Sequence, residues 1–222
     1  MTLATHPYTK QVLQWPTSGR HILAQFDDKT IIVYQAYRPE IGHFAVTHGH
    51  FGGEFSYSRM SWIKPNFLWM MYRSDWGRSQ GQEVVLAIRL RRAFFDSLLE
   101  QAVPSSFVPE LFENHNAWKA AVASSDVRLQ WDPDHDPTGG KCERRAIQLG
   151  LRGKSLDAYG KEEIVEIIDM SDFVARQRDL IGDWQSGKLL TPSEHVYVPK
   201  CTTAAANVGL TDWRGNSSEN EK

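Results

Sequence analysis

The chain has 222 residues, a formal net charge of −2 and 41% hydrophobic residues, which fits one large domain, or a domain with an added subdomain, around a sizeable core. The charge balance excludes a globally basic nucleic-acid binder while leaving room for a local cationic patch, and no stretch approaches the ~18 apolar residues of a membrane span. Residues 1–16 lack the charged start and apolar run of a secretory signal, and the two cysteines, Cys142 and Cys201, give neither a metal spacing nor a disulfide framework, so a reducing, cytoplasmic setting is expected.

Residues 1–19 are polar and carry Pro7, Pro16 and Gly19, the composition of an arm. Thr30–Tyr37 is β-branched and aromatic and predicts a strand. Pro39 opens a short helix in which Ile41, Phe44, Ala45 and His48 follow helical spacing, and Gly49 can close it. Tyr57–Ile63 reads as a second strand, and Pro65 suits the first turn of a helix running through Ser74. Val84–Leu90 is a third strand. Phe94, Phe95, Leu98, Leu99 and Ala102 then mark an amphipathic helix that Pro104 stops. After a short helix near Ala117–Ala123, Val127, Leu129 and Trp131 alternate with Arg128, Gln130 and Asp132, the pattern of a half-buried strand. Arg145–Leu151 and Glu163–Asp169 are further strands. Ser171 can cap a last long helix with Phe173, Leu180, Ile181 and Trp184 as its apolar stripe. The segment 201–222, rich in Ala, Asn, Ser and Glu, has no periodic apolar face and is expected to be a disordered tail. This order predicts a single α+β domain over residues 20–200, with a mixed, largely antiparallel central sheet and flanking helices. Gly49, Gly52 and Gly53 match neither the dinucleotide fingerprint nor the P-loop.

Ser61–Trp76, SWIKPNFLWMMYRSDW, is the most informative stretch. On a helix at ~100° per residue, Trp69, Tyr72, Arg73 and Trp76 share one face, while Phe67, Met70 and Met71 occupy the other and read as core. The first set makes aromatic plates beside a cation, and Trp69 and Arg73, four apart, can stack. Such a face suits a base, a nicotinamide or a sugar ring. Arg59 and Lys64, just upstream, can hold a neighbouring diphosphate. The competing reading is a helix sandwiched between two layers.

Other polar residues fall on strands. Gln35 alternates with Ile31, Val33 and Tyr37, and a glutamine among core-facing residues needs partners. Arg128, Gln130 and Asp132 share a face that lines a cleft or meets water. Gln148 has the small residues Ala146 and Gly150 beside it, which leaves room for a ligand. Glu163 and Glu166 lie near the last strand, where a carboxylate can orient a ribose hydroxyl or stabilise a cationic transition state. His43, His48 and His50, and the run Asp132, Asp134, His135, Asp136, have no specific ligand spacing, so no metal site is expected.

The strings VYQAY ending at Tyr37, RMSWIKPNFLWMMYRS from Arg59, VRLQWDP from Val127 and RAIQLG from Arg145 resemble the domain-of-unknown-function family 4291, over about Arg20 to Val198. A more distant likeness is to ADP-ribosyltransferase-like domains, because the opening strand is followed by a helix and then by Gly49-His50-Phe51. That likeness implies NAD as cofactor. It places Gln35 where such domains carry His or Arg, Tyr72 in the second motif, and Glu163, Glu166 or Gln148 in the third. The expectation is thus a transferase acting on a protein, nucleic-acid or small-molecule acceptor. Gln35, Tyr72, Gln148 and Glu163 would be its catalytic residues, and Tyr37, Arg59, Lys64, Trp69, Arg73, Trp76 and Arg128 would hold the dinucleotide. The alternative is a binding module without turnover, stacking a nucleotide or single-stranded nucleic acid on the same groups. A third is a protein-interaction surface anchored by Trp69 and Trp76.

Overall fold

The computed structural model describes residues 3–213. The first segment, expected as an arm, is built into the body as strand β1 (Thr5–Pro7), helix α1 (Tyr8–Gln11) and a 3-10 turn over Val12–Gln14. Its anchors lie at the other end of the chain. The Gln11 amide donates to Thr191 Oγ1 at 2.7 Å, and the Trp15 indole N–H donates to the Glu194 carbonyl at 2.8 Å. Tyr8 and Trp15 are buried. Composition reads only local polarity and cannot register partners so distant in sequence.

Strands β2 (Gly19–Arg20) and β3 (Ile22–Ala24) lead into β4 (Thr30–Tyr37). Ile31 and Val33 of β4 enter one core cluster and Ile32 and Tyr34 the other, so β4 is covered on both faces, which explains its nearly unbroken apolar run. Helix α2 (Pro39–His48) begins on Pro39 and ends on Gly49, whose φ of 71° is a left-handed cap. Next come β5 (Ser61–Ile63), shorter than the strand expected from Tyr57, and α3 (Phe67–Ser74). The chain continues through β6 (Val84–Arg91), α4 (Arg92–Gln101), β7 (Val103–Pro104), α5 (His115–Ser124), β8 (Val127–His135) and β9 (Lys141–Leu151). Helix α6 (Gly153–Lys161), unmarked in the sequence reading, buries Leu156 and Tyr159 and precedes β10 (Ile164–Asp169).

The expected long last helix is two pieces, α7 (Ser171–Arg178) and a 3-10 turn over Ile181–Ser186. Ser171 is its first residue rather than its cap. Asp169 Oδ1 accepts the Ser171 N–H at 2.8 Å and its hydroxyl at 2.6 Å. Strands β11 (Leu190–Pro192) and β12 (His195–Tyr197) pair with β1 and β3. Part of the expected disordered tail is helix α8 (Thr202–Val208), which buries Ala204 and Val208. Asn207 of α8 donates to the Leu99 carbonyl at 2.8 Å and to the Ala102 carbonyl at 3.0 Å, tying the helix to the end of α4. The remainder of that tail, 214–222, lies outside the described residues.

The fold is α+β, and its main strands divide between two sheets. One is an antiparallel triplet in the order β10-β6-β4. The other runs β7-β8-β9, with β2 and β5 also on β9. Pairing is antiparallel except for β7 with β8 and β2 with β9. The sheets touch through a bridge between Tyr34 and Lys64, where Tyr34 N–H donates to Lys64 O at 2.7 Å and Lys64 N–H returns to Tyr34 O at 3.3 Å.

Candidate functional site

Just past that bridge a cavity of about 540 Å³ opens, bounded by β4, β5 with the residues before it, α3 and the β8–β9 pair. Its lining is polar, and it draws side chains from segments that are far apart in sequence. Gln35, Tyr37, Arg59, Lys64, Arg73 and Gln148, all singled out in the sequence, meet there.

Each is held by local structure. Gln35 is 3% exposed and fully engaged. Its amide nitrogen donates to Ser61 Oγ at 2.7 Å and to the Trp62 carbonyl at 3.1 Å, and its amide oxygen accepts from the Tyr159 hydroxyl at 2.6 Å. The Tyr37 hydroxyl meets the same Ser61 Oγ at 2.7 Å. Burial pushes both phenols up, Tyr159 most strongly, so neither releases its proton near neutral pH. This knot of Gln35, Tyr37, Ser61 and Tyr159 locks the end of β4 against β5.

Lys64 follows β5 and is 5% exposed. Its ammonium has one long contact, 3.5 Å to the Trp62 carbonyl, and no carboxylate within ion-pair distance among the described residues. Burial, and then the nearby Arg73 guanidinium, push its pKa down to about 8, against a smaller upward pull from Asp132. Arg59 and Arg73 are exposed at the rim and likewise form no ion pair among the described residues. Arg73 is aimed by α3, whose first turn is doubly anchored. The Asn66 side chain accepts the Trp69 N–H at 2.6 Å, and the buried Glu194 carboxyl accepts the Phe67 N–H at 2.6 Å.

The register that pairs Ile63 with Leu149 carries Lys64 to the level of Gln148, and Gln148 pairs with Gln130. Asp132 accepts from both amides, Gln130 Nε2 at 2.9 Å and Gln148 Nε2 at 2.7 Å. With one N–H of each amide so used, the two side chains retain their carbonyl oxygens as acceptors and a second N–H each as donor. The polar alternation of β8 carried the signal for Gln130 and Asp132, but it is equally the pattern of a strand facing water. Gln82, also in the lining, sits in a loop with no pattern to mark it. The space expected beside Gln148 at Gly150 is filled: a Cβ there would lie 2.9 Å from the Trp62 ring and 2.7 Å from Met60 Sδ.

Five of the expected site residues do not line this cavity. Trp69 is 6% exposed and Tyr72 is 46% exposed; they stack on each other at 5.5 Å, and His135 stacks on Tyr72 at 3.6 Å. The helical projection fails for Trp76 because α3 ends at Ser74. Asp75 and Trp76 take left-handed φ values of 50° and 53°, which turn Trp76 into the core against Phe67. Arg128 donates to the Ser125 and Val122 carbonyls at the end of α5. Glu163 pairs with Arg91 at 3.3 Å. In the β4–β6 register Gln35 faces Leu86, so Arg91 lies about 17 Å farther along β6. Glu166 pairs with Arg89 at 3.0 Å. The aromatic binding face expected from α3 is therefore replaced by a cavity whose own indole is Trp62.

The family described as Domain of unknown function (DUF4291) matches residues 21–197, a span that includes every residue lining the cavity. The chain belongs to this family. No curated protein matches it. A second cavity of about 380 Å³ adjoins the first in the DUF4291 domain. The two share Tyr37, Arg59, Met60 and Ser61, and Phe55 adds an aromatic wall to the second.

Proposed function

We propose that this DUF4291 protein binds a phosphorylated nucleotide, with its phosphates on Lys64, Arg59 and Arg73. The observation that carries this reading is the three cations on one cavity with no carboxylate partner among the described residues, one of them almost wholly buried. An uncompensated buried charge is costly unless an opposite charge arrives, and a phosphate group supplies both the charge and the acceptors for these donors. The cavity volume falls in the usual range for small-molecule sites. The Gln130 and Gln148 oxygens offer acceptors to hydroxyl or amino groups of the same ligand.

A nicotinamide dinucleotide fits this donor set. The contiguous cavities supply two compartments, and Arg59, which lines both, stands where a linking diphosphate would lie. In ribosyl transfer the bond from ribose to nicotinamide breaks, and positive charge develops on the sugar. Three cations oppose that charge unless phosphates neutralise them, and Glu163, the acid expected to stabilise it, is elsewhere. The geometry therefore favours binding over turnover. Asp132, through its contacts with Gln130 and Gln148, is a carboxylate coupled to the first cavity, and Glu54 lines the second.

Calorimetric titration with ADP, NAD and adenosine tests the proposal. The expected result is that ADP and NAD bind at least roughly tenfold more tightly than adenosine, with an advantage that shrinks as salt rises. Equal affinity for adenosine, or no binding of any of the three at millimolar ligand, refutes it. Chromatography of the NAD mixture then separates the two modes, because released nicotinamide identifies ribosyl transfer and intact NAD identifies a binding module.

A further inference from the structure

A third cavity, of about 640 Å³, lies against the other face of the β8–β9 pair, where Leu129 and Trp131 project. Gln130 lines both this cavity and the cationic one at the edge of β8, where β7 pairs with Arg128 and Leu129 and no strand among the described residues pairs with the rest of β8 on that side. Two guanidiniums line this cavity. Arg20 and Arg145 are direct register partners across β2 and β9, both are exposed, and neither forms an ion pair among the described residues. Two like charges facing each other across a strand pair repel, so the arrangement favours an anion between them. The acid in the lining, Glu110, offsets only one of the two. Trp131 is held in place by its indole N–H, which donates to the Val208 carbonyl at 2.9 Å.

We propose that a single-stranded nucleic acid is the acceptor or extended ligand of this protein. Its end occupies the cationic cavity, and its chain passes over the β8 edge at Gln130 to rest phosphates on Arg20 and Arg145 and a base on Trp131. The inference rests on the nucleotide reading above and extends it to a polymer. Gln148 and Arg145 are three residues apart on β9, about 10 Å along the strand, and project from opposite faces. The ligand therefore rounds the β8 edge between them, a path longer than that spacing and one for a strand of several nucleotides. Cations that track a backbone together with an aromatic plate are how proteins hold single strands without reading sequence. An acidic protein segment would use the cations but would leave the indole without a planar partner.

The test compares the intact protein with an Arg20→Ala/Arg145→Ala variant, both residues being exposed and outside the first cavity. The probes are ADP, a fluorescent single strand of ~8 nucleotides in RNA and DNA forms, and a polyglutamate peptide of equal charge. The expected result is that the single strand binds the intact protein more tightly than ADP does. The double variant then loses at least roughly tenfold in affinity for the strand, and its salt dependence flattens by about 1.4 in log–log slope for the two lost phosphate contacts, while ADP affinity is unchanged. If ADP binds but the strand binds no more tightly, or if the double variant keeps full affinity for it, the polymer proposal is overturned and the nucleotide reading stands. If polyglutamate binds as well as the strand, the assignment to nucleic acid is overturned. If neither ADP nor the strand binds, both proposals fall together.

Discussion

Replacing Lys64 by methionine sets stability against binding at a single atom. A buried ammonium whose pKa is pushed from its ordinary 10.5 down to about 8 is charged at neutral pH at a cost of about 3 kcal/mol, taking ~1.4 kcal/mol per pH unit. Methionine fills nearly the same space without the charge, so Lys64→Met is expected to stabilise the ligand-free protein at pH 7 by up to about 3 kcal/mol, a rise in Tm of several degrees for a chain of this size. The sign reverses for the ligand: losing a charge-assisted contact of about 1.5–3 kcal/mol weakens ADP by roughly tenfold to a hundredfold. The wild type carries the matching pH signature. Between pH 8 and 10.5 the unfolded chain retains a proton on Lys64 that the ligand-free folded chain has released, so stability rises with pH across that window and gains nothing from this group below it. A bound phosphate holds the proton on, so affinity is full below pH 8 and falls as pH rises above it, by at most about tenfold per unit. Thermal melts and calorimetry at pH 7 and pH 9.5 measure both effects. A Lys64→Met protein that melts lower than wild type at pH 7, or that binds ADP as well as wild type does, would falsify the view of Lys64 as an uncompensated cation awaiting a phosphate.

Gly150→Ala places a methyl against the Trp62 ring and Met60; we expect a loss of about 1–3 kcal/mol from overpacking in a denaturant melt, and weaker ADP binding because Trp62 moves, whereas an unchanged affinity would place Trp62 outside the ligand's reach. Tyr72→Ala removes a ring stacked on His135 and is expected to cost about 0.5–1.5 kcal/mol while leaving ADP affinity within about twofold, so a large loss of binding would restore the aromatic face of α3 to the site. Trp76→Ala empties a core position and is expected to cost about 3–5 kcal/mol in the same melt, and a variant as stable as wild type would contradict the burial.

The parts of the fold that were legible from the sequence are those whose causes are local. β4 and β6 announce themselves through β-branched and apolar runs, and α2 through Pro39 at its start and Gly49 at its end. The N-terminal segment and α8 escape a local reading because what orders them is remote: Thr191 and Glu194 for the first, the end of α4 for the second. At the site, Gln35 stands out as a polar group among core-facing residues, Lys64 as a cation just before the aromatic helix and Gln148 by the small residues beside it, and the structure brings the three together. A helical wheel misplaces Trp76 because it assumes that the helix continues, and two consecutive left-handed residues end it first. Arg128 shares a strand face with Gln130 and Asp132, yet it sits beneath the end of α5, whose unpaired carbonyls claim it. Periodicity assigns a side chain to a face; what covers each stretch of that face is decided by elements elsewhere in the chain.

The bridge between Tyr34 and Lys64 gives the domain a mechanical property. The residue that fastens one sheet to the other with its peptide group also presents its ammonium to the cavity, so an occupant drawing on that ammonium pulls on the rivet of the seam. Filling the cavity is therefore expected to slow deuterium uptake at the amides of Tyr34 and Lys64 before it does so in the interior of either sheet, making these two positions a gauge of occupancy.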